Sequence, residues 1–492
     1  MVAHRVVSVA EIKAAEQSAM TALGLTEAAL IDRAAAALFD CLAARIEPQE
    51  HTVFYVGGGN NGCDGLATAR LLHMAGYRVS VKSVGDTFSQ ENLRRQRAAA
   101  EAGVPLFNAA KVGAGAVCPD VVIDCLFGFG LNRPAAGAYL AAIREINRQG
   151  TRVYSVDVPS GLSADEGELG RDAAVDAGET LTFSAVKQGL LLYGGRNHTG
   201  PVTVLDIGVD CAGAGGVLLT EADVPLTKRP IDSHKGDYGR VKVIGGSPDM
   251  PGAPFMAAEA GMAALRSGAG RVTLCVPESL MPAYQARVTE TMLRGLPDRA
   301  GLLCFDGGAL DGVMESADAI AVGMGLGQNP ALPEILRHLL RRFAGTLVLD
   351  ADALNALAGD VSVLSGHRGA VILTPHIGEF RRLTGIEKPL PADAAAFAGR
   401  YGVTVTLKSA TTVITDGARI YYNTTGSPVL AKGGSGDLLA GMTAAFACTM
   451  PALTAAAAGS YYLGKTAERV AAKTNSERSP VASDILLEAK RL

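Results

Sequence analysis

The sequence predicts an α/β protein of two domains, and three observations carry that prediction. Short apolar runs rich in β-branched residues alternate with segments of helical periodicity. The alternation lapses once, around residues 211–230, and then starts again. Each series contains a glycine-rich turn that runs into a helical pattern, "VGGGNNGCDGL" at 56–66 and "AKGGSGDLLAGM" at 431–442. Strand alternating with helix argues for parallel sheets covered on both faces. At 492 residues and 48% hydrophobic content the chain can build more than one core.

In the first series the strands are expected in "TVFYV", "YRVSVKSV", "VVIDCLF", "RVYSVDV", "TLTF" and "VTVLDIG". Helical patterns such as "LATARLLHM" and "YLAAIREINRQ" separate the early ones, and "AALIDRAAAALF" reads as a helix with a small-residue packing face. Small, turn-prone and polar residues mix in "CAGAGGVLLTEADVPLTKRP", which sets the expected domains at 1–215 and 225–492. The second series runs through "GRVKVIGGS", "GRVTLCVP", "AIAVGMGLG", "TLVLDADAL", "AVILTPHIGEF", "VTVTLK", "TTVITD" and "RIYYN". Its last strands are closely spaced, like a meander at a sheet edge.

Composition excludes several classes. A net charge of −4 leaves no basic footprint for nucleic acid or an acidic membrane. The N-terminus has no sustained apolar core with a cleavage site, and no window approaches ~18 uninterrupted apolar residues. Cysteines at 41, 63, 118, 125, 211, 275, 304 and 448 include no Cys-x-x-Cys pair. They are expected as reduced thiols in a cytoplasmic protein.

The first glycine-rich loop suits an anion, because a helix start exposes unpaired N–H groups and the positive end of its dipole. A plain turn would explain the glycines equally well. Asn60, Asn61 and Asp64 are harder to explain that way, since their oxygens are hard ligands suited to alkali or alkaline-earth cations. Asp124, Asp157 and Ser160 end two further predicted strands. In an open parallel sheet ligands bind beyond the C-terminal strand ends, so these groups are expected to share a site. Singly, Asp124 and Ser160 also read as caps or turn formers. In the second loop Gly433, Gly434 and Gly436 can form an anion-binding nest with Asp437 at the helix start. Asp437 is then either a helix cap or a general base beside a transferring phosphoryl group.

The motifs "GGGNNGCDGLATAR", "DCLFGFGLNRP" and "DVPSGL" resemble the NAD(P)H-hydrate epimerase family, which has a Rossmann-like fold. The resemblance implies that Asn60, Asn61, Gly62, Cys63 and Asp64 bind the hydrate's phosphates, with Cys63 standing where glycine is usual. It implies a potassium ion on Asn61, Asp124 and Ser160. Substrate contacts would come from Asp157 and from Gly128, Phe129, Gly130, Leu131, Asn132, Arg133 and Pro134. The second loop resembles the ribokinase-like superfamily. With "GGSPDMPGAPFMAAEAGMAALRSGAGRVTL", "VGMGLG", "LDADALNAL" and "LTPHIGEFRRLTG" it is similar to the ADP-dependent NAD(P)H-hydrate dehydratases. Ala253, Gly325, His376 and Asp437 would then touch the hydrate. Lys408, Ser409, Ala410, Thr411, Thr412 and Gly436 would touch an adenine nucleotide that carries magnesium. Ser409 and Met324 depart from the glycine and proline usual there, and His376 also reads as a satisfied histidine at a strand end.

The implied activity is a two-step repair of hydrated reduced nicotinamide nucleotides, NADHX and NADPHX. The first domain would epimerise the R and S hydrates with Asp157 as acid/base; Lys187 is a weaker candidate that reads as readily as a surface lysine. The second would use Asp437 to activate the hydroxyl toward ADP, after which phosphate leaves. A homo-oligomer is expected. One alternative is a ribokinase-like vitamin kinase with a Rossmann-like regulatory domain. Another makes the first domain a protein-binding module, which would have no need of a cation site.

Overall fold

The computed structural model describes residues 5–108, 119–170, 173–226, 228–256, 259 and 269–489. Cys118 and the middle of the motif that begins at Gly245 lie outside them. The chain forms two compact units, Met1–Val217 and Leu218–Leu492. Among the described residues no helix is long and apolar enough to cross a membrane.

The first unit is built on a seven-stranded sheet in which every neighbouring pair is parallel. From Thr52–Val56 the chain steps outward to Val79–Ser83 and Leu106–Asn108. It then returns to the other side of Thr52–Val56 with Val121–Cys125, followed by Arg152–Val156, Glu179–Phe183 and Val202–Leu205. The order therefore reverses between Thr52–Val56 and Val121–Cys125, and the crevice beyond their C-terminal ends is where such sheets hold ligands. Alternate residues of Thr52–Val56 go to opposite faces. Phe54 and Val56 pack with Leu38, Leu42 and Leu72, while Val53 and Tyr55 pack with Ile143 and Ile146. Helices Glu27–Ala43 and Asn60–Met74 thus cover one face and Gly137–Arg148 the other.

The second unit repeats the plan. Arg240–Ile244 is followed outward by Arg271–Pro277 and Met292–Leu296, and the chain then returns on the other side with Ala319–Val322, Thr346–Leu349, Val371–Leu373 and Thr404–Leu407, all parallel. Its switch point lies between Arg240–Ile244 and Ala319–Val322. Thr412–Thr415 and Ile420–Asn423 complete the antiparallel meander expected from their spacing. The last strand is not a bare edge, because the Leu219 N–H donates to the Tyr422 carbonyl at 2.9 Å. Behind the sheet, Ala455–Ala458 are fully buried against helix Ser435–Phe446. Small residues allow that approach; a Cβ on Gly459 would stand 2.4 Å from the Thr443 hydroxyl.

Besides several strands of two or three residues, the sequence left two members of the parallel ladders unread. Leu106–Asn108 is three residues long and only partly buried, and Met292–Leu296 carries an arginine and a glycine in place of an unbroken apolar run.

Candidate active sites

The first switch point opens into a cavity of about 610 Å³, within the range of small-molecule sites. The glycine loop forms one wall. A Cβ on Gly57 would meet the Leu126 carbonyl at 2.1 Å, one on Gly58 the Thr87 carbonyl at 2.0 Å, and one on Gly62 the Gly57 carbonyl at 2.0 Å. Only hydrogen side chains let the loop fold this tightly. Asn92 fastens it by donating to Gly57 O at 2.9 Å and Gly59 O at 3.3 Å.

Asn60, Asn61, Asp64, Asp157 and the turn from Gly128 to Arg133 line this cavity; Gly62, Cys63 and Pro134 do not. Cys63 is fully buried behind the loop, where burial pushes its thiol up to about 11. The extra Cβ relative to glycine is therefore accommodated away from the cavity. Asn60 donates to Glu27 at 2.5 Å. Burial, then the nearby Asp157 carboxylate, raises the Asp64 pKa well above the ordinary value.

Asp157 follows the strand Arg152–Val156 in a left-handed conformation, φ 66°, that few non-glycine residues adopt. Its Oδ2 accepts from the Phe129 N–H at 3.1 Å, which ties it to the Gly128–Arg133 turn. Its Oδ1 lies 2.6 Å from the Lys187 ammonium. Lys187 is 1% exposed and also donates to Thr182 and to the Phe183 carbonyl. This corrects the surface-lysine reading: Lys187 is a buried counter-ion. The short strand after "TF" turns it inward, and only the fold reveals that.

Asp124 and Ser160 lie just beneath the cavity. The carboxylate of Asp124 accepts from the Ser160 hydroxyl at 2.6 Å, the Ser155 hydroxyl at 2.8 Å, and the N–H groups of Ser160 and Leu126. No basic side chain pairs with it among the described residues, and its complete burial raises its pKa. Asn61 donates to the carbonyls of Phe127 and Val156 at 2.9 and 3.2 Å, while its own Oδ1 is buried without a donor. A buried carboxylate without a basic partner and an orphaned amide oxygen, linked through Ser160 and Phe127, form a donor set that a monovalent cation would satisfy.

In the second unit a cavity of about 480 Å³ is lined by Ala253, Gly433, Gly434 and Asp437 among others. Gly434 takes φ 97° immediately before helix Ser435–Phe446, which turns the loop into the helix start. Asp437 is the third helical residue, and its side chain caps nothing, so the helix-cap reading fails. Burial, then repulsion from Asp350, pushes its carboxyl up to about 7, with Lys408 acting in the opposite sense.

Lys408 lies 2.8 Å from Asp350 and 3.9 Å from Glu379. Burial disfavours its charge, but these carboxylates outweigh that and raise its pKa. Gly436 adjoins the pair: a Cβ there would stand 3.4 Å from Asp350 Oδ2 and 3.5 Å from Lys408 Nζ. Gly325, at φ 67°, abuts Ala253, since its Cβ would come within 2.9 Å of the alanine's. Met324 is fully buried, and its carbonyl accepts from the Gly246 N–H. Ser409 donates to the Thr411 carbonyl at 2.5 Å within the turn that ends at Thr412. That hydroxyl occupies the position of a usual glycine by closing its own turn. Lys408, Ser409, Ala410, Thr411, Thr412, Gly436, Gly325 and His376 do not line the cavity.

The His376 ring accepts from the N–H groups of Gly378 and Glu379, at 3.0 and 3.3 Å, and so caps helix Ile377–Thr384. Its side chain is 53% exposed. Sequence reasoning missed Asp350 and Glu379, the buried partners of Lys408. The motifs "LDADAL" and "HIGEF" contained them, but nothing in their spacing pairs them with a lysine from another strand.

Comparison with known proteins joins the two sites. Residues 241–488 match the family described as NAD(P)H-hydrate dehydratase, and residues 27–189 match the family described as YjeF-related protein N-terminus. The chain is similar to the bifunctional NAD(P)H-hydrate repair enzyme of Moorella thermoacetica, 37% identical over 463 residues that cover 88% of this chain and 86% of that protein. It is also similar to the enzyme of that name from Coxiella burnetii, 33% identical with 94% of each chain covered. A solved ADP/ATP-dependent NAD(P)H-hydrate dehydratase from Bacillus subtilis, co-crystallised with ATP and Mg2+, is 29% identical at a TM-score of 0.46, covering 56% of this chain and 96% of that one. The architecture is the expected one, a Rossmann-like unit followed by a ribokinase-like unit. With both families matched in order and the relatives aligned over most of both chains, the chain belongs to the bifunctional NAD(P)H-hydrate repair enzymes.

Proposed function

We propose that the two units divide the repair between them, residues 1–215 epimerising NADHX and NADPHX and residues 225–492 dehydrating the S form at the expense of ADP. The observation that supports this best is that each unit has its own cavity lined by its own carboxylate, the buried Asp157 in one and the partly buried Asp437 in the other. In the first cavity Asn60, Asn61 and Asp64 at the helix start face the phosphates. The Gly128–Arg133 turn holds the nicotinamide ring against Asp157, which moves the proton, while Lys187 balances its charge. Asn61 Oδ1, Asp124 and Ser160 would hold potassium, which supplies fixed positive charge beneath the substrate.

In the second cavity the hydrate lies near Ala253, Gly325, His376 and Asp437, and the nucleotide lies along Lys408–Thr412 and Gly436. Asp437, poised near neutrality, takes the hydroxyl proton as the oxygen attacks the terminal phosphoryl group of ADP. The glycine nest at Gly433–Gly436 stabilises charge developing on that group. Loss of phosphate then restores the reduced nicotinamide. Magnesium, when bound, neutralises the nucleotide phosphates. It would enter with the nucleotide, whose phosphate oxygens supply hard ligands. The seven described cysteines are all free, in keeping with a cytoplasmic protein.

The test is sequential. Purified R hydrate should convert to S without nucleotide, and reduced-nicotinamide absorbance should return only when ADP is added. A phosphorylated product that accumulates without that absorbance would favour a small-molecule kinase.

A further inference from the structure

We infer that Glu16 is the second acid–base group of the epimerase cavity, working with Asp157 on the departing and returning water. The inference rests on the epimerase reading of the first unit and extends it to a residue that no motif contains. Glu16 lies in helix Val9–Leu23, ahead of the segment that matches the family. It lines the same cavity as Asn61, Asp64 and Asp157, but enters from a different element. Other carboxylates nearby have structural work. Glu11 on the same helix binds the N–H groups of Ser8 and Gly215, and Glu27 binds Asn60. The Glu16 carboxylate has no hydrogen bond or ion pair among the described residues, although it is partly buried.

The reaction needs two such groups. To invert the hydroxyl-bearing carbon, the ring nitrogen's lone pair forms a C=N bond as the C–O bond breaks, and the departing hydroxyl takes a proton and leaves as water. A water then adds to the opposite face, its oxygen forming the new C–O bond while the C=N electrons return to nitrogen, and a base takes its proton. One proton is donated and one accepted, on opposite faces of the ring, so a single carboxyl serves poorly. Asp157 already faces the Lys187 ammonium and suits the accepting role. Glu16 suits the donor. Burial chiefly, and the Asp157 carboxylate in addition, push its pKa up to about 7, against the opposing pull of Lys187. Glu27 from the next helix and Lys13 on its own helix also face it, and Asp64 and Cys211 feel its charge. In the reverse direction the two carboxyls exchange roles.

The experiment is E16Q in the full chain, with R hydrate consumption followed without nucleotide, above the uncatalysed rate, across neutral pH. The expected result is a loss of about 10²–10⁴-fold and disappearance of the limb near pH 7. ADP-dependent dehydration of S hydrate by the same sample should be unchanged, which reports a folded chain. Should E16Q also lose dehydration, E16D decides: a displaced limb at reduced rate supports the role. Wild-type rate with the wild-type limb, in E16Q or in E16D, overturns it. If the unmodified protein does not accelerate R-to-S conversion at all, the epimerase reading itself has failed, and Glu16 with it. If Asp157→Asn abolishes that conversion while E16Q leaves it untouched, Glu16 alone has failed.

Discussion

At the scale of single residues, the chemistry rests on carboxyls whose surroundings set their charge. As the proposed general base, Asp437 must be ionised to accept a proton, so kcat/KM for dehydration should rise with pH and level off above about 7, the value to which burial and Asp350 push it. Asp437→Asn should remove at least nine-tenths of dehydration, given the roughly 10²–10⁴-fold such groups contribute, and leave epimerisation intact. The stability linkage runs the other way. Because the folded pKa lies above the ordinary carboxyl value, the folded chain binds the extra proton between 3.8 and about 7, and this residue's contribution falls as pH rises through that window. The same Asp437→Asn variant should lose that slope, read from denaturant midpoints at several pH values. The Asp157–Lys187 pair gives a second prediction. Lys187→Met strands a buried carboxylate and should destabilise the first unit by about 3–5 kcal/mol, and adding Asp157→Asn should recover most of that. If the double variant unfolds as easily as the single one, the pair is not the source. Asp157 and Asp437 were legible in the sequence because each follows a predicted strand or a glycine loop. Lys187 was legible only as a weaker candidate, and Asp350, Glu379 and Glu16 not at all, because the groups each one faces lie far off in sequence and only the fold brings them near.

At the scale of elements, the two glycine loops do the positioning, and their glycines are not equivalent. An alanine at Gly62 would drive its Cβ to 2.0 Å from the Gly57 carbonyl and 2.9 Å from the Asn92 amide, whereas one at Gly59 meets nothing within 4 Å. Gly62→Ala should therefore abolish epimerisation while sparing dehydration, and Gly59→Ala should fold and keep its loop. Equal losses in parallel R-hydrate assays would contradict the geometry. Most strands were readable from their alternation or apolar runs, and the loop–helix junctions from their glycines. The sequence could not separate a cap from a catalyst: Asp437 proved not to cap its helix, and His376 proved to cap one. Both sit near a helix start, where capping and catalysis ask for the same residue types.

At the scale of the whole molecule, the sheet of each unit reverses its strand order once, and each unit carries a cavity. That duplication explains how one chain serves two reactions with unlike requirements, one needing no nucleotide and the other consuming it. The potassium proposed beneath the first cavity can be sought directly. Crystals grown with potassium replaced by thallium, with ligand bound, should show anomalous density beside Asn61 Oδ1 and Asp124, and its absence would remove the ion from the mechanism.

The central claim is that two autonomous catalysts share the chain, and separating them tests it most directly. Fragments of residues 1–217 and 218–492 follow the boundary between the compact units. Each is of ordinary domain size and should fold alone. With an equal mixture of R and S hydrate, the second fragment and ADP should restore the absorbance belonging to the S form and stop there. Adding the first fragment should carry recovery to completion, because the intermediate diffuses between sites. If both fragments fold by circular dichroism but the mixture still halts with R hydrate remaining, the claim of two autonomous catalysts is contradicted.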